Sequence, residues 1–134
     1  MDAIDAIECG KISVMTTAAA RKDRLRRSLE RILVVLINEY KPEKIILFGS
    51  LASGEVHEGS DLDLVIIKDT SQRPIDRQVE VYRLTKPDIG IDLFIYTPQE
   101  FKYLDSIGFS VVKEIVAKGK VLYEARGQRV AKDR

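Results

Sequence analysis

Asp61-Leu62-Asp63 opens one apolar run, and Gly49-Ser50 closes another ten residues upstream. Two carboxylates one residue apart on a strand project from the same face, about 6 to 7 Å apart, close enough to share a cluster of divalent cations. Glycine lets the backbone turn sharply and approach a phosphate without a Cβ in the way, and Ser50 adds an N–H and a hydroxyl at what reads as a helix start. Ser60, just before the acidic pair, either caps the loop or touches phosphate. Asp92 lies mid-run in Ile89 to Tyr96 and alternates onto one face with Gly90, Phe94 and Tyr96. Three acids on one face repel one another unless cations lie between them, and their hard oxygens suit Mg²⁺. The chemistry expected is therefore two-metal phosphoryl-group chemistry on a nucleoside triphosphate. Asp61 and Asp63 would hold both Mg²⁺ ions. Asp92 would serve the attacking-hydroxyl side as ligand or general base, and Gly49, Ser50 and Ser60 would bind the nucleotide.

Short strands between helices must position these residues. From about Ala18 to Tyr40, Leu25, Leu29, Ile32, Leu33, Leu36, Ile37 and Tyr40 recur at helical spacing, opposite a basic face of Arg21, Lys22, Arg24, Arg26, Arg27 and Arg31 that reads as solvated. Lys41-Pro42 stops that helix. Lys44–Phe48 reads as a strand covered on both sides, and Leu62–Ile67 as a second, with Leu62, Leu64 and Ile66 toward core and Asp61, Asp63 and Val65 opposite. Ser71 to Leu84 is expected to be a helix with Ile75, Val79 and Tyr82 facing inward. After the Ile89–Tyr96 strand, Thr97-Pro98-Gln99-Glu100 spells a capping box opening a helix to about Asp105. A further helix, Phe109 to Lys118, and a short edge strand at Val121–Tyr123 complete the pattern. The fold class expected is α+β, a small mixed sheet flanked by helices. Residues 1–17 read as a loose extension with Met15 as a second candidate start, 18–125 as the folded domain, and 126–134 as a mobile tail.

Composition bounds the function from outside. A chain of 134 residues with formal net charge +1 is a single domain without a general pull toward nucleic acid, and its length leaves no room for a separate substrate domain. One cysteine, Cys9, forms no intrachain disulfide; with no membrane-length apolar run and no signal-peptide pattern, the expected setting is the cytoplasm. His57 reads as an exposed loop residue between two glutamates, and Phe94 and Tyr96 as packing residues. An apolar stripe left exposed on the long helix would be covered by a second copy or a partner.

Gly-Ser, ten residues, Asp-x-Asp and a later strand aspartate together resemble the nucleotidyltransferase superfamily that includes DNA polymerase beta. In length and order the chain is most similar to the minimal nucleotidyltransferases, small partners of HEPN-domain toxins. The resemblance spans Leu25 to Glu124. It implies Mg²⁺-dependent transfer of a nucleoside monophosphate, usually AMP from ATP, to an acceptor hydroxyl, with release of pyrophosphate. It also implies nucleotide binding at Gly49 and Ser50 and metal binding at Asp61, Asp63 and Asp92. In the toxin-linked branch the acceptor is a HEPN-protein tyrosine, which would make this chain an antitoxin. Two other functions stand beside it: the same chemistry on a small molecule such as an aminoglycoside, and an antitoxin acting by contact alone. One departure is Ser53, where many relatives carry an arginine that braces the site; Lys44 or a partner residue is the replacement expected.

Overall fold

In the computed structural model the backbone is described for residues 3–125 and side chains for residues 17–125. Helix α1 (Ala3–Val35) continues into a π-helical turn, Leu36–Tyr40. It thus begins well before the Ala18 expected from periodicity and includes most of the stretch read as an extension. The stretch 126–134 lies outside the described residues. Leu25, Leu29, Ile32, Leu36 and Tyr40 form its buried stripe, at the three- and four-residue spacing of one helical face. Lys41, at φ 57°, ends the helix in the left-handed conformation, its N–H bonded to the Leu36 carbonyl, and Pro42 prevents further winding.

Four strands follow: β1 (Lys44–Phe48), β2 (Leu62–Ile67), β3 (Ile91–Tyr96) and β4 (Lys120–Glu124). Between them lie α2 (Ser50–Ser53), α3 (Pro74–Thr85), α4 (Pro98–Ser106) and α5 (Ser110–Lys118). The sheet order is β3-β2-β1-β4, with β2–β3 parallel and the other two pairs antiparallel, so the sheet is mixed as expected. One face, built by Ile45 and Leu47, Leu62, Leu64 and Ile66, and Ile91, Leu93 and Ile95, packs under α1 and α3. The opposite face carries Ile46, Val65 and Ile67 with Phe48, Phe94 and Tyr96, and packs against Ile115 of α5 and Phe101 of α4. This is the alternation read from β2, with both faces covered.

Helix α3 departs from the expectation. Ile75, Val79 and Tyr82, predicted to face inward, are 61%, 57% and 40% exposed, while Arg77, Val81 and Thr85 are buried. The reason lies in β3, an edge strand whose outward carbonyls have no neighbouring strand. Tyr82 Oη donates to Ile91 O (3.0 Å), Gln78 Nε2 to Leu93 O (2.8 Å) and Arg77 Nη1 to Ile95 O (3.1 Å). Buried carbonyls require donors, and this need outweighs the burial of two aliphatic side chains. Arg77 also forms a forked pair with Glu100, Nη1 to Oε1 at 2.7 Å and Nη2 to Oε2 at 2.9 Å. Glu100 is the N3 residue of the predicted capping box, which forms as read: Thr97 Oγ1 accepts from Glu100 N, and Glu100 Oε1 from Thr97 N.

Candidate active site

Strand register assembles the acidic residues at one end of the sheet. Phe48, the last residue of β1, stands opposite Asp63 on β2, and Asp63 stands beside Asp92 on β3. Adjacent strands run about 4.8 Å apart, so the Asp63 and Asp92 carboxyls come within hydrogen-bonding reach. Phe48, beside Asp63, and Phe94, two residues along β3 from Asp92, meet edge to face with ring centroids 5.5 Å apart. Tyr96, further down the same face, packs on Phe101, the packing role expected of it.

Burial, the hydrogen bond with Asp92, and the negative charges of Asp92 and Asp61 push the Asp63 carboxyl up to about 6. A cation placed between these groups would reverse that cost.

Gly49 completes this end of the site. Its φ of 79° lies in the left-handed region, and a Cβ there would overlap the Asp63 carboxylate, lying 2.9 Å from Cγ. Only glycine therefore lets the β1–α2 turn pass directly over Asp63. Ser50 begins α2, a single turn closed by hydrogen bonds from Ser53 and Gly54 N–H to Gly49 and Ser50 carbonyls. Ser53 turns its hydroxyl back to Ser50 O, and α2, Ser50-Leu51-Ala52-Ser53, has no cationic residue.

Asp61 sits just before β2, close enough for its charge to act on the Asp63 carboxyl. Its carboxylate lies over Gly90, where a Cβ would stand 2.8 Å from Asp61 Cγ, and Arg21 Nη2 approaches its Oδ1 at 3.4 Å. Ser60 is buried and closes the loop: its Oγ accepts from His57 N (2.9 Å), and its N–H donates to His57 O (3.0 Å). His57 is exposed, as read. Among the described residues no three His, Cys, Asp or Glu side chains are gathered as a ready metal-ligand set. The donors nevertheless fit Mg²⁺: all are carboxylate oxygens, two of them crowded at the cost just described, with a backbone cradle above.

Sequence reasoning missed the part played by α1. Its basic face does not only meet solvent: Arg21 Nε donates to Ser60 O (2.8 Å), Arg24 Nη2 to Asp88 O (2.8 Å) and Arg31 Nη1 to Thr85 O (2.8 Å). Ser28 Oγ donates to Asp88 Oδ1 (3.0 Å), and this bond, more than the nearby arginines, holds the Asp88 carboxyl below its ordinary range. These bonds fasten the loops before β2 and β3 that carry Asp61 and Gly90. Nothing local in a run of arginines marks partners 40 or 60 residues away. Lys44, the expected replacement for the arginine missing at Ser53, is at the wrong end of β1: it pairs with Ile67, its Nζ lies 3.6 Å from Glu124 Oε2, and four residues, about 13 Å, separate it from Phe48.

Comparisons with known proteins point the same way as the geometry. The family model described as Polymerase beta, Nucleotidyltransferase matches residues 30–128. The candidate protein adenylyltransferase MJ0604 of Methanocaldococcus jannaschii is 26% identical over 99 residues, covering 72% of this chain and 96% of its own length. Among solved structures, a candidate nucleotidyltransferase from Sulfolobus solfataricus superposes with a TM-score of 0.57 at 19% identity, over 81% of this chain and 87% of that one. A chain of a mutant form of the toxin-antitoxin complex MntA-HpeT gives 0.52 at 24% identity over 74% of each chain. A chain of a toxin-antitoxin complex with AMP-PNP gives 0.50 at 21% identity over 74% of this chain and 76% of that one. At these identities the solved structures establish the shared fold. No helix among the described residues is long and apolar enough to cross a membrane.

Proposed function

Because the chain belongs to the polymerase beta nucleotidyltransferase family, we propose that it transfers AMP from ATP to a hydroxyl of a protein partner, a HEPN-domain toxin, and so acts as the antitoxin of a cytoplasmic pair. The observation that carries the enzymatic reading is Gly49 lying across Asp63, itself beside Asp92. An acidic pair under a glycine turn has no packing purpose and costs stability unless a cation and phosphates occupy it. The adenylyltransferase and toxin-antitoxin relatives support the choice of a protein acceptor.

Gly49 and Ser50 would offer backbone N–H groups to the triphosphate, and Asp61, Asp63 and Asp92 would hold Mg²⁺. The ions, when bound, neutralise the phosphates and make the acceptor hydroxyl more acidic. Asp92, exposed at the rim, accepts the hydroxyl proton. The acceptor oxygen bonds to the α-phosphorus, the bond from that phosphorus to the β-bridging oxygen breaks, and pyrophosphate leaves.

The test is to incubate the protein with α-labelled ATP, Mg²⁺ and the product of the adjacent gene, beside the Asp61→Asn/Asp63→Asn double variant. Label on the neighbour with wild type alone is expected. An unlabelled neighbour that the double variant still neutralises would replace this reading with neutralisation by contact, and label on an aminoglycoside but on no protein would replace the acceptor.

A further inference from the structure

We propose that Arg21 binds the triphosphate of the incoming nucleotide, delivered to the site from α1 and resting on Asp61 until the nucleotide arrives; this rests on the nucleotidyltransferase reading above. Among the described residues, Arg21 is the cationic side chain that touches an acid of the site, and α2, Ser50-Leu51-Ala52-Ser53, brings none of its own.

The guanidinium is fixed on one side and available on the other. Its Nε is held at 2.8 Å by the carbonyl of buried Ser60, which sets the plane of the group. Nη2 reaches Asp61 Oδ1 at only 3.4 Å, the long end of hydrogen bonding, and Nη1 has no hydrogen bond to a described residue. A planar fork anchored through Nε and presenting two N–H₂ groups matches the paired oxygens of a phosphate. The side chain is only 21% exposed, so its charge is partly desolvated and an anion there would be bound more firmly than at the open surface.

Exchange is favourable on both sides of the contact. Asp61 is half exposed, and its long bond to Arg21 is weak and readily given up. When Asp61 turns to a cation, the guanidinium loses its partner at the moment a polyphosphate enters. Arg24 and Arg31 have no comparable freedom, since they are committed to the carbonyls of the 85–88 turn.

Calorimetric binding of AMP-PNP and of AMP, each with Mg²⁺, to the full chain tests this. Arg21→Gln should weaken AMP-PNP by about 10- to 100-fold, the range for one charge-assisted contact, and AMP by less than about 3-fold. Arg21→Lys should recover part of the loss, and Arg26→Gln, at an exposed position of the same helix, should bind both ligands like wild type. Equal AMP-PNP affinity in wild type and Arg21→Gln overturns the assignment. So does an equal loss for both ligands, or the same loss in Arg26→Gln, because either would mean that the helix has merely shifted. Wild type binding neither nucleotide would overturn the enzymatic reading itself together with this one.

Discussion

Replacing Asp63 by asparagine should make the metal-free protein more stable at neutral pH, although it removes a residue at the centre of the site. The Asp63 carboxyl is pushed from 3.8 up to about 6 by burial, by its bond to Asp92, and by the charges of Asp92 and Asp61. In full, a rise of that size corresponds to about 3 kcal/mol at about 1.4 kcal/mol per pH unit. The carboxyl is only half buried, and solvent screening reduces this to about 1 to 1.5 kcal/mol. A carboxyl whose pKa is raised by folding stabilises the fold while protonated and loses that contribution as pH climbs. Wild-type stability should therefore fall between about pH 4 and pH 6 and flatten above it. Asparagine keeps the shape and can still donate to Asp92, but carries no charge. Urea melts in chelator should show the variant level with wild type near pH 4 and about 1 to 1.5 kcal/mol more stable at pH 7.5. For 134 residues this is about 3 to 6 °C in melting temperature. Mg²⁺ should then raise wild type more than the variant. A variant no more stable than wild type at pH 7.5, or a gap that does not change with pH, would refute the electrostatic account of the site.

Gly49→Ala should lose AMP-PNP affinity by more than about 10-fold and stability by about 1 to 3 kcal/mol, read by calorimetry and urea melts, because the methyl overlaps the Asp63 carboxylate and φ is 79°. Arg77→Met should cost about 2 to 3 kcal/mol, less than a wholly buried pair because Glu100 is 42% exposed, and lower the urea midpoint without changing the slope. The Arg77 bond holds the Glu100 carboxyl below its ordinary value, so this contribution is present at neutral pH and lost on acidification; Arg77→Met should flatten the decline in stability below about pH 4.5. Thr97→Ala should remove about 1 kcal/mol by opening the capping box, measured the same way.

The parts legible in the sequence are those whose causes are local. The alternation of Leu62, Leu64 and Ile66 with Asp63 and Val65 fixes the faces of β2, and Thr97-Pro98-Gln99-Glu100 contains every group its cap requires. Asp92 could be matched to Asp63 because both alternate on strands, and the parallel register places them side by side. The orientation of α3 was not legible. Hydropathy ranks Ile75 and Val79 above Arg77 and Gln78, yet which side faces in depends on carbonyls of a strand that happens to lie at the edge of the sheet. Arg21 was hidden for a related reason: its meaning comes from Ser60 and Asp61, brought near only when α1 docks.

The three donors on α3 also bear on how the chain folds. They meet alternate carbonyls, at positions 91, 93 and 95, while the carbonyls of Gly90 and Tyr96 point to β2. A one-residue slip of β3 would turn the bonded carbonyls away from these donors and carry Asp92 to the face under α1 and α3, because side chains alternate with a period of two. The burial of Ile91, Leu93 and Ile95 opposes the same slip, so the donors of α3 and the core select one register together. Helix α3 thus serves as a template against which β3 is read, and the acidic pair comes together only once that reading is complete.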